Sequence, residues 1–378
     1  MQPQKYLKQI PANHYGLDCP KDLRLHVTHP GKHGPADTTE MESTCLQNIY
    51  QAKLISGQVN KISVIVISDQ EDLHADCIVS GLMNIGVHTI RLSPIDDFSE
   101  PFFLSSVKSK LLKIGGSKID VSNITGVYCR VPLERLSECF SPRNALERHS
   151  IEEEASAWLC GLLSISGHFW VNNPRFEIWA DNKQFSLMIA LKVGLSVPDF
   201  IITNSLSHAK RFSENKKVVI KPISDTSLAF QNGKFIDVPD FESFETIGTS
   251  LFEVEKISPE ALDGTPFFLQ AYIERIEEFR VTIIDENIFV AKAILSSNQI
   301  DIKDVVGLNY EKSDIASDVK NMLLKLMRQL GLRFCTFDLV IENTGEIFLV
   351  DINPSGNWLW LNPLFDGIIA TEIVSGLR

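Results

Sequence analysis

Two strand-like segments near the C-terminus constrain the fold of this chain more than any other part of the sequence. Phe334–Glu342 and Glu346–Ile352 are rich in β-forming residues, and Asn343–Gly345 between them has the composition of a short hairpin turn. The segments therefore predict a β-hairpin. If the turn is centred between Thr344 and Gly345, the facing residues follow from the numbering.

The predicted pairing places two carboxylates opposite each other. The facing pairs are Asp338 with Asp351, Thr336 with Asn353, and Val340 with Leu349. Both acids and Asn353 then share one face of the hairpin, and the other face carries the apolar residues Cys335, Phe337, Leu339 and Ile341. Facing carboxylates about 5 Å apart repel each other. A bound Mg²⁺ or Mn²⁺, which prefers oxygen ligands, would relieve the repulsion. The alternative is a solvent-exposed sheet edge on which both acids are hydrated.

The sequence of this hairpin resembles a known family motif. FDLVI followed by GEIFLVDINPSGNWLWL is similar to the C-terminal part of ATP-grasp ligases, in particular the microviridin-type (graspetide) peptide macrocyclases, which have roughly FDF and then EINPNGQW. The resemblance implies that Asp338, Asp351 and Asn353 hold Mg²⁺, two ions in all, against ATP. The second acid of the family is usually Glu, which is one methylene longer than Asp351 and reaches further between two ions.

The composition is that of a soluble globular protein. The chain has 378 residues, which suggests two or three structural units, with 44% apolar and 22% charged residues. A net charge of -12 argues against a nucleic-acid surface, which would need a basic footprint. The seven cysteines form no CxxC pair and are odd in number, so reduced thiols are expected. With no membrane-length apolar run and no signal peptide, a cytoplasmic protein without membrane or nucleic-acid partners is predicted.

Residues 1–58 form an N-terminal extension in which five prolines interrupt any periodicity. A metal site built from its histidines and Cys19 is disfavoured, because Pro30 and Gly31 break the helix that would align three of them. Ser43–Ile55 has the pattern of a short amphipathic helix. The extension is predicted to be disordered or a docking segment. The alternative is a built-in activator or substrate, because residues 38–44 interleave hydroxyls with carboxylates.

Residues 59–175 follow a doubly wound α/β pattern. The predicted elements are a buried strand in KISVIVIS from Lys61, a helix at Asp72–Asn84, strands at His88–Leu92 and 126–131, and a helix from about Arg148 to Ser166. No GxGxxG follows the first strand, so a dinucleotide site is not supported. The overall class is α/β. By resemblance, this part is a pre-ATP-grasp domain, followed by the central subdomain (176–265) and the C-terminal subdomain (266–378) of an α+β ATP-grasp fold.

Two lysines match phosphate-binding positions of the resembled family. Asp181 or Asn182 caps a predicted helix that ends before Gly194, which places Lys183 in its first turn. Lys221 ends the strand KVVIK. Each is by itself an ordinary lysine, but the resemblance implies that both bind the nucleotide phosphates as point charges. The loop that follows, Pro222–Gly233, lacks the early glycines that in the family let backbone N–H groups approach phosphate. The hydroxyls of Ser224 and Thr226 are predicted to supply hydrogen-bond donors instead.

The segment after residue 266 predicts strands at about 267–272, 278–284 and 287–295, followed by an amphipathic helix beginning near Ile315. By resemblance, the end of the first strand is the adenine hinge, where backbone groups of Gln270, Tyr272 and Ile273 read the base. An acid just beyond it holds the ribose. Glu274 and Glu277 are both candidates, and the choice between them stays open.

Two basic residues are assigned to catalysis by resemblance. Arg280 aligns with the arginine of ELRVTVVG-type strands, which stabilises a transferred phosphoryl group or fixes a substrate carboxylate. The alternative for Arg280 is a cross-strand ion pair with Glu278 or Asp285. Lys303, in Asp301-Ile302-Lys303, stands where macrocyclases have a DxR motif that handles the substrate, although lysine lacks the bidentate fork of arginine.

The resulting hypothesis is an ADP-forming, ATP-dependent ligase. It activates a carboxylate as an acyl phosphate. By resemblance, it forms ω-ester or ω-amide crosslinks in a ribosomal precursor peptide that carries a leader segment. The oligomeric state is left open, with a homodimer as one possibility. One alternative is a RimK-like ligase that adds an amino acid to a protein or small acid. Another is a nucleotide-binding regulatory module that has lost turnover.

Overall fold

The computed structural model describes most of the chain in five long stretches, residues 63–93, 123–130, 169–221, 266–294 and 309–378. Short pieces between them, within 103–120, 144–161 and 223–254, are also described. Contacts divide these residues into two compact units. The first runs to Pro174 and includes Ile373–Arg378, and the second covers Arg175–Glu372.

The strands and helices are numbered in chain order. The strands are β1 (Ser63–Ile67), β2 (His88–Leu92), β3 (Phe103–Ser105), β4 (Leu111–Ile114), β5 (Ser117–Asp120), β6 (Ile124–Cys129), β7 (Phe169–Val171), β8 (Phe200–Thr203), β9 (Val218–Lys221), β10 (Ala229–Gln231), β11 (Lys234–Ile236), β12 (Leu251–Phe252), β13 (Phe267–Ala271), β14 (Arg275–Ile284), β15 (Asn287–Ile294), β16 (Asn309–Lys312), β17 (Phe334–Glu342) and β18 (Ile347–Asn353). The helices are α1 (Leu73–Asn84), α2 (Pro174–Asp181), α3 (Lys183–Val193), α4 (Leu206–Ser213), α5 (Ser317–Leu330) and α6 (Ile368–Gly376). None of these helices is long and apolar enough to cross a membrane.

The first unit is built on a parallel sheet in the order β2-β1-β6-β7. All five residues of β1 are buried, as expected for a strand with neighbours on both sides and cover on both faces. Asp72 caps α1, and its carboxylate accepts the Ala75 N–H at 3.0 Å. The strands and the helix predicted between residues 61 and 131 are therefore confirmed. A separate antiparallel sheet has the order β3-β4-β5.

A set of ion pairs follows the C-terminal ends of β1 and β6. Arg130 Nε donates to Asp72 at 2.9 Å, and Arg91 pairs with Asp76. Arg91 Nη2 also donates to the backbone carbonyls of Asp69 at 2.6 Å and Gln70 at 3.0 Å. Burial opposes ionisation of Asp72, but His74 and Arg130 outweigh it and lower the pKa of Asp72. We call this set the first-unit network.

The second unit contains two antiparallel sheets and a hairpin of β10 and β11. The four-stranded sheet has the order β12-β9-β13-β8, and the five-stranded sheet the order β16-β15-β14-β17-β18. One face of the five-stranded sheet packs against α3 and α5 in the main core, which includes Val281, Phe337 and Leu323. Helix α5 has the apolar stripe predicted for it and ends at Gly331 in the left-handed conformation (φ 71°). The opposite face carries Glu278, Arg280, Thr282, Thr336 and Asp338 beside the apolar Ile284 and Val340.

The predicted hairpin is confirmed, with one pairing wrong. Asp338 lies opposite Asp351 and Thr336 opposite Asn353, as predicted, but Val340 faces Phe348 rather than Leu349. The cause is a β-bulge, because Val350 is an extra residue between the pairs Leu339–Leu349 and Asp338–Asp351. The second strand is also one residue later than predicted, at Ile347–Asn353.

Other expectations were not met or lie beyond the described residues. Cys129 and Cys335 are free and buried, whereas Cys77 is disulfide-bonded, so the expectation of reduced thiols is wrong for Cys77. The N-terminal extension and most of the helix predicted at 148–166 lie outside the described residues. Most of the predicted phosphate loop, Pro222–Gly233, lies outside them too, and its described part includes β10.

Candidate active site

The hairpin acids stand at the centre of a group of basic side chains. Arg280 Nη1 donates to Asp338 at 2.6 Å. Lys183 Nζ donates to Asp351 at 3.2 Å, and Lys221 Nζ lies 3.8 Å from the same carboxylate. The repulsion expected between the two acids is thus offset by three cations drawn from three other elements. We call the surface that carries Asp338, Asp351 and Asn353 the acid face.

The bulge in β18 positions Lys221. The Val350 carbonyl accepts the Lys221 ammonium at 2.7 Å, and the neighbouring Leu349 N–H bonds to the Ser196 carbonyl at 2.9 Å instead of following a regular ladder. A bulged residue turns its backbone groups away from the partner strand. The same irregularity therefore holds the lysine and brings Asp351 opposite Asp338.

Burial and opposite charge compete at these groups. Burial favours the neutral form of Asp351, but Lys221 and Lys183 outweigh it and hold the pKa of Asp351 below its ordinary value. For Lys221 burial wins, so its pKa is lowered although Asp351 opposes the change. The Lys221 residue is only 8% exposed. A buried ammonium beside a carboxylate can give up that partner to a phosphate without moving far.

Arg280 binds Asp338, not either of the two acids suggested from the sequence. Glu278 pairs instead with Arg275 at 2.7 Å, and Asp285 pairs with Arg333. Burial would lower the pKa of Arg280, but Asp338 outweighs it and the pKa is raised. The Arg280 Nε is buried and has no hydrogen-bond partner. Arg280 thus reaches the acid face with one donor still to be satisfied.

The sequence around Lys183 folds as predicted. The Asn182 side chain accepts the Phe185 N–H at 2.9 Å and caps α3, and Gly194 ends that helix with φ 103°. The left-handed backbone at Gly194 is one that L-residues with side chains rarely adopt. The cap fixes the first turn of α3, which directs Lys183 toward Asp351.

The predicted hinge lies at the end of β13. The Ala271 N–H bonds to the Asp199 carbonyl at 2.7 Å, and the Tyr272 N–H bonds to the Lys217 carbonyl at 2.9 Å. In the described part of the chain, the Ile273 N–H has no hydrogen-bond partner. Of the three predicted hinge residues, Ile273 therefore offers a backbone donor to a ligand.

The acids after the hinge lie in different places. Glu274 is exposed and pairs with Lys217 at 2.8 Å. Glu277 faces Ile341, on the core side of the sheet, and pairs with Lys292 at 2.5 Å. Glu278, which the sequence analysis did not select, shares a face with Arg280, because side chains two residues apart on a strand point the same way. The two-residue spacing between Glu278 and Arg280 could have identified Glu278 from the sequence.

Glu278 and Tyr310 extend the acid face toward β16. Burial and then the charge on Asp338 raise the pKa of Glu278, although Arg275 opposes the change. Burial and the nearby Glu278 raise the pKa of Tyr310 to about 12. The Tyr310 ring lies 4.8 Å from that of Trp360, which is 39% exposed. Tyr310 was also not predicted as a site residue. It follows the Asp301-Ile302-Lys303 segment, which matches the family motif poorly.

Two residues of the C-terminal motif, Gly356 and Trp358, have structural roles. Trp358 is fully buried. Gly356 packs so closely on Thr336 that a Cβ there would lie 1.8 Å from the Thr336 hydroxyl oxygen. These two residues therefore fix the path of the chain after Asn353. The predicted site residues Ser224, Thr226 and Lys303 lie outside the described residues.

The donor atoms of the acid face suit a hard divalent cation. Asp338, Asp351 and Asn353 offer only carboxylate and amide oxygens, the ligands that Mg²⁺ takes in nucleotide sites together with water and phosphate. Among the residues described, no group of three or more His, Cys, Asp and Glu side chains could hold a metal ion by itself. This site would need a phosphate to complete the coordination, which is the usual arrangement for Mg²⁺ with ATP.

Comparison with solved structures identifies the fold. The chain is similar to the macrocyclase MdnC of Microcystis aeruginosa MRC bound with precursor peptide MdnA, with 21% identity, a TM-score of 0.68, and coverage of 84% of this chain and 99% of that one. The chain has the ATP-grasp fold. A second ATP-grasp structure, a RiPP-associated ligase of Chryseobacterium gregarium with ADP and a leader and core peptide, matches with 18% identity, TM-score 0.65, and coverage of 84% and 96%.

A third structure with the ATP-grasp fold is the ligase PsnB complexed with minimal precursor, Mg and ADP, at 17% identity and TM-score 0.63, covering 86% of this chain and 100% of that one. No protein-family model matches the sequence. No curated protein matches it either. The ATP-grasp fold, predicted from the hairpin signature, is therefore confirmed from structure alone.

Proposed function

We propose that this chain is an ADP-forming, ATP-dependent ligase that crosslinks side chains of a ribosomally made precursor peptide. One observation carries the proposal: Asp338 and Asp351 face each other within reach of Arg280, Lys183 and Lys221. Paired acids among cations are the parts needed to hold Mg²⁺ and the phosphates of ATP. The likeness to ligases crystallised with ADP, Mg and precursor peptides supports this choice of substrate.

The acid face is assigned to metal and phosphate. Asp338, Asp351 and Asn353 would hold Mg²⁺, with two ions as the working assignment, and the metal would neutralise charge on the β- and γ-phosphates. Lys183 and Lys221 would bind phosphate oxygens, exchanging their contact with Asp351 for one with the nucleotide. Ser224 and Thr226 would add hydroxyl donors from the loop after Lys221.

The nucleoside is assigned to the end of β13 and the start of β14. Gln270, Tyr272 and Ile273 would line the base, with the Ile273 N–H as a donor to it. For the ribose we favour Glu278 over Glu274 and Glu277, because only Glu278 shares the face that carries Arg280 and Asp338. A carboxylate accepts hydrogen bonds from two neighbouring hydroxyls at once.

The chemistry has two steps. A carboxylate oxygen of the peptide attacks the γ-phosphorus, the bond to the bridging oxygen of ADP breaks, and an acyl phosphate results. A hydroxyl or amine of the same peptide then attacks the acyl carbon, the carbon–oxygen bond to phosphate breaks, and the nucleophile gives up its proton as phosphate leaves. Arg280 stabilises the negative charge that develops in both steps, and Lys303 orients the peptide.

The remaining assignments concern the surroundings of the enzyme. We propose that it works in the cytoplasm on a precursor with a leader segment, either as a monomer or as a homodimer. Linkage type, ester or amide, depends on whether the peptide presents a hydroxyl or an amine. The net charge of -12 is consistent with a peptide rather than a nucleic acid as substrate.

The test is the identity of the products. The purified full chain would be incubated with ATP, Mg²⁺ and a ribosomal peptide rich in Thr and Glu, and the nucleotides and peptide would be analysed by chromatography and mass spectrometry. The expected products are ADP, phosphate and a peptide that has lost one water for each crosslink. AMP with pyrophosphate would contradict acyl-phosphate chemistry. ADP formation without any loss of water from the peptide would contradict crosslinking.

A further inference from the structure

Tyr310 and Trp360 form an aromatic pair beside the edge strand β16 of the five-stranded sheet. Their ring centroids lie 4.8 Å apart, with 59° between the ring planes. Trp360 is 39% exposed, although its neighbours Trp358 and Leu361 are buried. Because those neighbours are anchored in the core, the chain holds the Trp360 indole at the surface. Tyr and Trp side chains at a surface are enriched where proteins bind ligands and partners.

The strand register places Tyr310 on the acid face. Ala291 of β15 is paired with Arg280, so the two side chains share a face of the sheet. Tyr310 is paired with Ala293, two residues further along β15, and therefore points to that same face. In these two rows of the sheet β15 contributes only methyl groups. The Tyr310 side chain can therefore reach across β15 toward Arg280.

The charges around Tyr310 favour a cation. Burial, and then the charges on Glu278 and Asp338, raise the pKa of Tyr310 to about 12, although Arg280 opposes the change. The negative potential of the two carboxylates also stabilises a positive charge placed beside the Tyr310 hydroxyl. Among the residues that the structure describes, this hydroxyl has no hydrogen-bond partner. Its oxygen is therefore free to accept a hydrogen bond from a ligand.

The two cations near Tyr310 already have carboxylate partners. Arg280 donates to Asp338 at 2.6 Å, and Lys312 pairs with Asp366 at 2.6 Å. Neither cation therefore needs the Tyr310 oxygen. Indole is the aromatic ring that binds ammonium groups most strongly, so the exposed Trp360 adds to the attraction. An indole, a phenol oxygen and nearby carboxylates together have the chemistry of an ammonium-binding subsite.

We propose that Tyr310 and Trp360 hold the side chain that attacks the acyl phosphate, and that this side chain is a lysine of the peptide. The inference rests on the proposed function and decides the linkage type that the proposed function left open, as an amide. The lysine ammonium lies against the Trp360 indole and donates a hydrogen bond to the Tyr310 oxygen. A threonine hydroxyl is neutral and gains nothing from the indole, so the pair selects the amine.

The reaction of the bound lysine balances in protons and electrons. The ammonium first releases one proton to water, and the neutral nitrogen then attacks the acyl carbon with its lone pair. The carbon–oxygen bond to phosphate breaks, and the second proton passes to the departing phosphate. The products are an amide and inorganic phosphate.

The test is a competition between two acceptors in one peptide. The peptide that is crosslinked in the test of the proposed function would be remade with one Glu and, at equal spacing on its two sides, one Lys and one Thr. A second version with Lys and Thr exchanged removes any preference for direction. Each version would be incubated with the full chain, ATP and Mg²⁺. Mass spectrometry before and after mild alkaline hydrolysis, which opens esters but not amides, gives the ratio of amide to ester.

The wild type should form mainly the amide from both versions of the peptide. In Trp360→Leu the ratio of amide to ester should fall about threefold to tenfold, the range for one lost cation–π contact. Tyr310→Phe, which loses only the hydroxyl, should also lower the ratio. Trp360→Phe keeps an aromatic ring and should give a ratio between those of the wild type and Trp360→Leu. A purely structural role for the pair would change the total rate of crosslinking and leave the ratio unchanged.

Trp179→Leu is the matched control. Trp179 is 62% exposed on α2, and its ring lies edge-on to Phe185 at 5.5 Å. The variant loses the same exposed indole from another part of the second unit, so its ratio of amide to ester should equal that of the wild type. If Trp360→Leu does not fold, Trp360→Phe and Tyr310→Phe give the same readout.

The outcomes separate this inference from the proposed function. A wild-type chain that forms no crosslink would refute both. Crosslinks with the same ratio of amide to ester in the wild type and in Trp360→Leu would refute the amine subsite alone. Esters as the main product of the wild type, from both versions of the peptide, would refute it as well.

Discussion

The first-unit network and the acid face are both clusters of acidic and basic side chains, but they differ in whether the buried donors of their arginines have partners. In the first, Asp72 caps α1 and binds Arg130, and Arg91 divides its donors between Asp76 and backbone carbonyls. Around the second, the buried Arg280 Nε has no partner, nor has Gln270 Nε2 or Thr282 Oγ1.

A structural network and a binding site differ in where the partners of their polar atoms lie. A cluster whose partners all lie within the chain serves folding, and its loss should be felt as lost stability. A cluster that leaves donors unpaired retains the capacity to bind something else. If the two clusters separate in this way, substitutions in the acid face change ligand binding and substitutions in the first-unit network change stability.

Asp351→Asn should remove the effect of Mg²⁺ on ADP binding and should lower the rate of ADP formation. The variant keeps the shape of the side chain but weakens a metal ligand, so ADP formation should fall by about 100-fold or more. Calorimetry should show that Mg²⁺ no longer strengthens ADP binding. Asp199→Asn is the control, since that carboxylate is 80% exposed and pairs only with Lys216 among the described residues. Wild-type turnover in Asp351→Asn would refute the metal assignment.

Asp72→Ala should lower stability and leave ADP binding unchanged. Losing the helix cap and leaving the buried Arg130 without its carboxylate should lower the free energy of unfolding by about 2–4 kcal/mol. The affinity for ADP at a temperature where the variant is folded should stay at the wild-type value. Denaturant unfolding and calorimetry measure the two quantities. A change in ADP affinity would break the proposed division between the clusters.

Glu278→Gln should show a small, pH-dependent effect on stability. Because the pKa of Glu278 is raised in the folded state, that state binds more protons than the unfolded chain between the ordinary Glu pKa, about 4.3, and the folded value. Wild-type stability therefore falls as pH rises through this window, and the glutamine variant should gain relative to it, by about 1 kcal/mol or less.

Glu274→Gln provides the contrast for that measurement. Lys217 lowers the pKa of Glu274, so its contribution is present above the ordinary pKa and is lost as pH falls. Relative to the wild type, this variant should lose stability as pH rises, the opposite sign to Glu278→Gln. Denaturant unfolding is measured between pH 3 and 7, because the contribution of Glu274 changes mainly below the ordinary Glu pKa and that of Glu278 mainly above it. The same sign in both variants would contradict these directions.

The hairpin shows how far sequence reasoning could go. The pairing of Asp338 with Asp351 was predicted correctly, although the turn pairs Ile341 with Ile347 and a bulge at Val350 then shifts the register by one. Strict alternation missed the bulge and so misplaced Leu349. A signal existed, because Leu349 and Ile352 are apolar residues three apart, which a regular strand would direct to opposite faces.

Ion pairs between distant segments were beyond the sequence. Arg280 binds a carboxylate 58 residues away, while the acids considered for it, Glu278 and Asp285, were its near neighbours along the chain. Which charge meets which depends on strand order, and the neighbour of β14 is β17. Helix ends, in contrast, are set by local chemistry, so the cap at Asn182 and the stop at Gly194 were predictable.

The bulge at Val350 has a consequence for how such a site can arise. With the same residues and turn but no bulge, Val350 would face Asp338, and Asp351 would be directed into the core opposite Phe337. Deleting the Val350 codon would instead keep Asp351 opposite Asp338, because Asp351 would then follow Leu349 directly. The same deletion would remove the carbonyl that holds Lys221. An alignment gap at this position would therefore mark chains that keep the paired acids and hold the lysine by another group.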